Sequence, residues 1–200
     1  ATAPPPWVDI VVPAADRSTL ASGGSTIERC PTASTAFVLR LRHASRSTLP
    51  QALVAESTTY SMLQAGPEFG AWRASRPQSD LDAGAARVRT SRDADHLEIT
   101  LTRPSRHNAN DTAMRDALVE AFQIAVLDDS ITAVHLRGEG SSFCSGGDLD
   151  TFGQFSDVVD ANLVRLLRSP AELAARLAPR LVSHLHGACV GGGIEIAAFA

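Results

Sequence analysis

Apolar residues recur at helical spacing through residues 113–127, where Met114, Leu118, Ala121, Phe122, Ala125 and Val126 share one stripe. The pattern predicts an amphipathic helix with that stripe in the core, capped by Thr112 or Asp111. Just upstream the period shortens to two. Leu97, Ile99 and Leu101 alternate with polar residues over 96–101, and a hairpin with 88–90 around the polar stretch 91–95 follows. Residues 131–137 alternate well enough for a strand, and 181–185 have the length and apolar content of a short buried one, although Ser183 and His184 interrupt it. Residues 162–177 read as helix, disturbed at Ser169-Pro170, and the alanine-rich stretch 194–200 reads as helix again. Strand, strand, helix, strand, helix, strand, helix fits a layered α/β architecture of repeated ββα units.

The breaker-rich stretch 75–80 divides the chain. The expected organisation is an N-terminal region over 1–78, a linker over 79–87 and a core over 88–200. In the first of these, 8–12 and 35–41 look like strands, and 49–74 looks helical with a break at Gly66-Pro67. That predicts a small α/β N-terminal region of unknown role. Glu68, just after Pro67, reads as an exposed helix carboxylate and not as a catalytic acid.

Two glycine-bearing junctions carry the candidate chemistry. After the strand at 181–185, Gly191, Gly192 and Gly193 force a turn and lead into a helix with Glu195 in its first turn. Bare glycines admit a ligand closely, and the first N–H groups of a helix lack internal acceptors. Such groups can hold an oxyanion. The same glycines also suit close helix–strand packing, and a first-turn glutamate also suits the helix dipole. The upstream junction follows the strand at 131–137 and the break at 138–142: Phe143-Cys144-Ser145-Gly146-Gly147-Asp148-Leu149. There Asp148 can cap the next turn or hold the loop. Together the two junctions can bracket one thioester oxygen.

Three segments, Leu101 to Ala109, Phe143 to Leu149 and Gly187 to Ile196, occur in the order found in the crotonase (enoyl-CoA hydratase/isomerase) superfamily, which the region 88–200 resembles. The resemblance implies a crotonase-like (ββα)n spiral core. It also implies an acyl-CoA-processing enzyme of the hydratase/isomerase type, with the N–H groups of Gly147 and Gly192 as an oxyanion hole for a thioester enolate and Glu195 as the proton-handling group. Arg106, Ala109, Ser145, Asp148 and Leu149, with the two glycines, would bind the CoA thioester. Other crotonase-type reactions (thioester hydrolysis, dehydration, ring chemistry) and a noncatalytic CoA-binding or oligomerisation subunit are the alternatives. CoA would arrive with the substrate, no separate cofactor is implied, and the family suggests a homo-oligomer, a trimer or hexamer. The chain departs from the family at Ser183, His184 and His186 in the last strand. It departs again at Asn110-Asp111, where an apolar residue usually follows Asn-Ala. It stops at Ala200, before the family's second carboxylate and trimer-forming helices, so the core is expected to be C-terminally incomplete.

Composition narrows the alternatives. A net charge of -4 argues against a nucleic-acid surface. All 18 basic residues are arginine, so no lysine can form a Schiff base, while arginine still grips phosphate. The alanine-rich, lysine-free composition hints at a GC-rich bacterial genome. Cys30, Cys144 and Cys189 lack ligand spacing and read as buried thiols, and the 6 histidines show no metal pattern. Neither glycine site spells GxGxxG, which disfavours a dinucleotide fold. No apolar run approaches the ~18 residues of a membrane span, and residues 1–6 lack the regions of a secretory signal. A cytoplasmic location is the expectation.

Overall fold

The computed structural model describes residues 8–9, 11–13, 15–76, 84–154 and 157–200. They fall into two units, 1–77 with 155–166 and 78–154 with 167–200.

The second unit is built on a sheet. β1 (Val88–Asp93) and β2 (His96–Leu101) form the expected hairpin, which turns at Ala94-Asp95 with Ala94 at φ 50°. β2 then pairs in parallel with β3 (Ala133–Gly138), and β3 in parallel with β4 (Leu181–Ser183), giving the order β1-β2-β3-β4. Parallel neighbours need crossovers. Helix α5 (Thr112–Leu127) supplies the first, and α7 (Pro170–Leu177) lies on the second and packs against α5.

The core follows the two periodicities. Leu97, Ile99 and Leu101 of β2 and Val134 and Leu136 of β3 meet Met114, Leu118, Ala121, Phe122 and Ala125 of α5, and all are buried. Asp111 caps α5 by accepting from Met114 N–H at 2.8 Å. Arg180 closes the other end by donating to the Ala125 carbonyl at 2.7 Å, satisfying one of the carbonyls a helix leaves open. The helix expected over 162–177 is split into α6 (Val158–Leu167) and α7, because Pro170 cannot continue a helix but suits the first position of the next. Residues 79–83 of the expected linker lie outside the described residues. Its last residues already belong to the hairpin: Thr102 N–H donates to the Arg87 carbonyl at 2.9 Å.

The first unit is helical among its described residues, not α/β. It comprises α1 (Arg17–Arg29), α2 (Pro31–Ala44), α3 (Leu49–Gln64), α4 (Pro67–Ala74) and most of α6. The stretch 35–41, expected as a strand, lies within α2. Pro31 opens that helix, and Ala33, Ala36 and Arg40 turn inward at helical spacing while Phe37, Leu39 and Leu41 stay exposed. A short apolar run is compatible with either element, and here the chain turns helically, with Ala36 buried and Ala33 and Arg40 half-buried. No strand forms at the described residues of 8–12; Ile10 lies outside them. Glu68 has a structural role, accepting from the Thr32 and Ala33 N–H groups at 2.7 and 3.0 Å and so capping α2 from α4. The hydrogen bonds from Thr32, then that from Ala33, hold its carboxyl below the usual glutamate range.

Candidate active site

The two glycine junctions lie side by side. After β3, Phe143 N–H donates to the His186 carbonyl at 2.8 Å, Cys144 N–H to Ala188 at 3.1 Å, and Val190 N–H back to Cys144 at 3.1 Å. This short parallel bridge between Cys144 and Cys189 joins the turns backbone to backbone. Glycine makes the approach possible. A Cβ on Gly193 would stand 2.4 Å from the Cys144 carbonyl oxygen, and one on Gly146, whose φ is +91°, would stand 2.6 Å from that of Val190.

The N–H groups of Gly147 and Gly192 have no acceptor among the described residues. Gly192 opens α8 (Gly192–Ala197), where an unmet N–H is the rule, and a Cβ there would meet nothing within 4 Å. Gly147 lies against Phe152, whose ring carbons would be 2.8 and 2.9 Å from a Cβ at that position. Glu195, in the first turn of α8, is exposed, and its N–H donates to the Gly191 carbonyl at 3.0 Å.

A buried ionic network fixes the upstream turn. Asp148 is 5% exposed and accepts from the Arg103 guanidinium at 2.6 Å, itself 2% exposed. Arg103 also donates to the Ala109 carbonyl at 3.0 Å and lies 3.6 Å from Asp111, which Arg87 holds at 2.9 Å. Arg106 pairs with Asp150 and stands 3.7 Å from Asp148. The carboxylate of Asp148 therefore points into the protein and braces the turn. Asn108 completes the knot: fully buried at φ 54°, it accepts from Arg103 N–H at 2.9 Å and donates to the Glu139 and Ser142 carbonyls at 2.9 and 2.8 Å. Ser145 N–H donates to His107 at 2.9 Å.

Arg106, Ala109, Ser145, Gly147, Asp148 and Leu149 are thus gathered around one loop, and the Gly191–Glu195 segment is bound to it through Cys144. Within this set Ala109 is buried, Ser145 half-buried and Leu149 exposed. Arg103 and Asn108 were not singled out from the sequence as site-building residues. A lone arginine gives no hint of a carboxylate 45 positions away.

The remaining candidates are structural. Burial pushes the Cys144 thiol up, and all three cysteines are free. His184 Nε2 meets His135 Nδ1 at 2.8 Å, and burial, then Arg137 and His135, lower the pKa of His184. His186 Nε2 lies 3.1 Å from the Gly140 carbonyl. Among the described residues no group of three or more His, Cys, Asp or Glu is placed to hold a metal, and no helix is long and apolar enough to cross a membrane.

The architecture recurs in known proteins. A crystal structure of an enoyl-CoA hydratase/carnithine racemase from Magnetospirillum magneticum superposes with a TM-score of 0.51 at 30% identity, covering 58% of this chain and 45% of that one. A 4-chlorobenzoyl coenzyme A dehalogenase of an Arthrobacter species is 33% identical over 100 residues, covering 48% of this chain and 36% of the relative. A probable enoyl-CoA hydratase of Mycobacterium tuberculosis is also 33% identical over 100 residues, covering 50% of this chain and 39% of the relative. The chain thus spans well under half the length of these curated relatives. The family model described as enoyl-CoA hydratase/isomerase matches residues 92–200, more than half of the chain and the whole of both glycine turns. On that match, the chain belongs to the enoyl-CoA hydratase/isomerase family.

Proposed function

We propose that this core processes acyl-CoA thioesters, holding the thioester oxygen between the Gly147 and Gly192 N–H groups while it gains charge as an enolate. The supporting observation is that these two N–H groups meet no acceptor among the described residues, in turns that the Cys144 backbone locks together. Donors fixed in place before reaction need no reorganisation as charge develops, and losing one costs on the order of 2.7–4 kcal/mol in a protease precedent. The oxygen accepts from both, more strongly as the α-proton leaves. Glu195, exposed on the first turn of α8, moves the proton at the α or β carbon or activates water. Arg106, 33% exposed beside its partner Asp150, meets a phosphate of CoA on this reading.

The relatives favour the thioester over any one reaction, since a dehalogenase and a hydratase match at the same identity. Within that class, hydration or isomerisation of an enoyl thioester is the reading we prefer, because Glu195 is present. Glu195→Gln should abolish crotonyl-CoA hydration while leaving CoA thioester binding by calorimetry within a few-fold. Full hydration by that variant would refute the role of Glu195.

A further inference from the structure

Cys144 and Cys189 face each other across the short parallel bridge that joins the two turns. Cys144 N–H donates to the Ala188 carbonyl and the Cys144 carbonyl accepts from Val190 N–H, which leaves Cys189 directly opposite. Opposed residues of such a pair turn their side chains to one face, and both cysteines pack on the same apolar core. Neighbouring strands hold opposed Cα atoms about 4.8 Å apart. A disulfide accepts roughly 4.4–6.8 Å between Cα atoms.

The two thiols differ in access. Cys144 is 3% exposed and its Sγ donates to the Asn108 carbonyl at 3.1 Å. Cys189 is half-buried, between the exposed Ala188 and Val190. Burial pushes the Cys144 thiol up, the Gly146 N–H offsets part of that, and the neighbouring Cys189 raises it further. An oxidant in solution therefore meets Cys189 first, with Cys144 beside it as the second thiol. Cys30 lies between α1 and α2, outside both turns.

We propose that Cys144 and Cys189 are a peroxide-sensitive pair that closes to a disulfide and clamps the two glycine turns together. The Cys189 thiolate attacks the O–O bond of hydrogen peroxide, taking one oxygen as a sulfenic acid while the other leaves as hydroxide. The Cys144 sulfur then attacks the sulfenic sulfur, the S–O bond breaks, and the oxygen departs as water with the Cys144 proton. Two thiols and one peroxide thus give one disulfide and two waters. Opposed Cβ atoms of neighbouring strands stand roughly 4.5–5.5 Å apart, and a disulfide draws them to about 3.8 Å, so the turns close by on the order of 1 Å. The bond itself is independent of the proposed function. Its effect on turnover rests on that reading, since moving the Gly147 and Gly192 donors by about 1 Å costs on the order of a hundredfold.

Treating the full chain with hydrogen peroxide, then mapping unreduced peptides by mass spectrometry and measuring crotonyl-CoA turnover before and after dithiothreitol, tests the pair. The peptides of Cys144 and Cys189 should be joined with the loss of two hydrogens, leaving 1 of the 3 cysteines free. Turnover should fall about a hundredfold and return with dithiothreitol. Cys30→Ser should behave in the same way. Cys189→Ser should form no link, and its turnover should be indifferent to peroxide when compared with its own untreated value. Cys144→Ala should stop at a sulfenic acid on Cys189, trapped by dimedone. Oxidation of Cys189 to a sulfinic acid while Cys144 stays a thiol, or a link through Cys30, would overturn the pairing. A linked protein with turnover within a few-fold of the reduced form would overturn the clamp. A link in a protein whose reduced form never turns over would support the pair and overturn the proposed function instead.

Discussion

Replacing Gly192 by proline removes one proposed donor with little disturbance of the fold. The Gly192 N–H donates to no described acceptor, so its loss breaks no internal hydrogen bond. The residue is the first of α8, where the fixed φ of proline suits a helix start and the missing N–H is not needed. The stability change should stay within about 1 kcal/mol, the size of a proline substitution where the backbone already suits it. Catalysis should fall much further: a lost oxyanion donor corresponds to roughly a hundred- to thousandfold in kcat. Two comparison variants isolate the cause. Gly192→Ala keeps the N–H and places its Cβ in open space, so it should stay close to the unaltered protein. Gly193→Ala drives a Cβ to 2.4 Å from the Cys144 carbonyl and should cost about 1–3 kcal/mol of stability by overpacking. Urea unfolding measures the stabilities, and loss of the conjugated enoyl chromophore of crotonyl-CoA measures turnover. A folded Gly192→Pro protein with turnover within a few-fold of the original would refute the donor role.

Other consequences follow from the network around the turn. Asp148→Asn takes from the buried Arg103 guanidinium the carboxylate it meets at 2.6 Å and should destabilise by about 3–5 kcal/mol in urea unfolding. A loss below about 1 kcal/mol would mean the pair is not the brace described here. Cys144, buried and with its thiol pushed up, should be the last cysteine alkylated by iodoacetamide at mildly alkaline pH, because the thiolate is the nucleophile. Its folded pKa exceeds the unfolded one, so its contribution to stability persists below the ordinary thiol range and is lost as the pH rises through the folded value. Early labelling of Cys144 in mass spectrometry would contradict the burial.

Long periodic segments were legible in the sequence because burial imposes their period. The α5 stripe and the β2 alternation lie where the spacing put them. The run 35–41 suits a strand by its sequence and folds as helix, because a few apolar residues fit either element and only the packing of Ala33, Ala36 and Arg40 decides. The glycine turns were visible because glycine marks places where chains approach closely. The reason Gly146 and Gly193 must be glycine is a pair of backbone contacts from distant segments. The Arg103–Asp148 brace is not legible in the sequence, because it depends on a partner that only the folded chain brings near.

Whether these turns stabilise an enolate can be measured without relying on overall turnover. Acetoacetyl-CoA ionises to an enolate that is visible by absorbance, and its titration in the bound state reads the charge stabilisation directly. With Gly147 and Gly192 both donating, the ionisation constant should rise at least about a hundredfold on binding, and most of that gain should vanish in Gly192→Pro. An ionisation constant unchanged by binding would contradict the two-donor oxyanion hole.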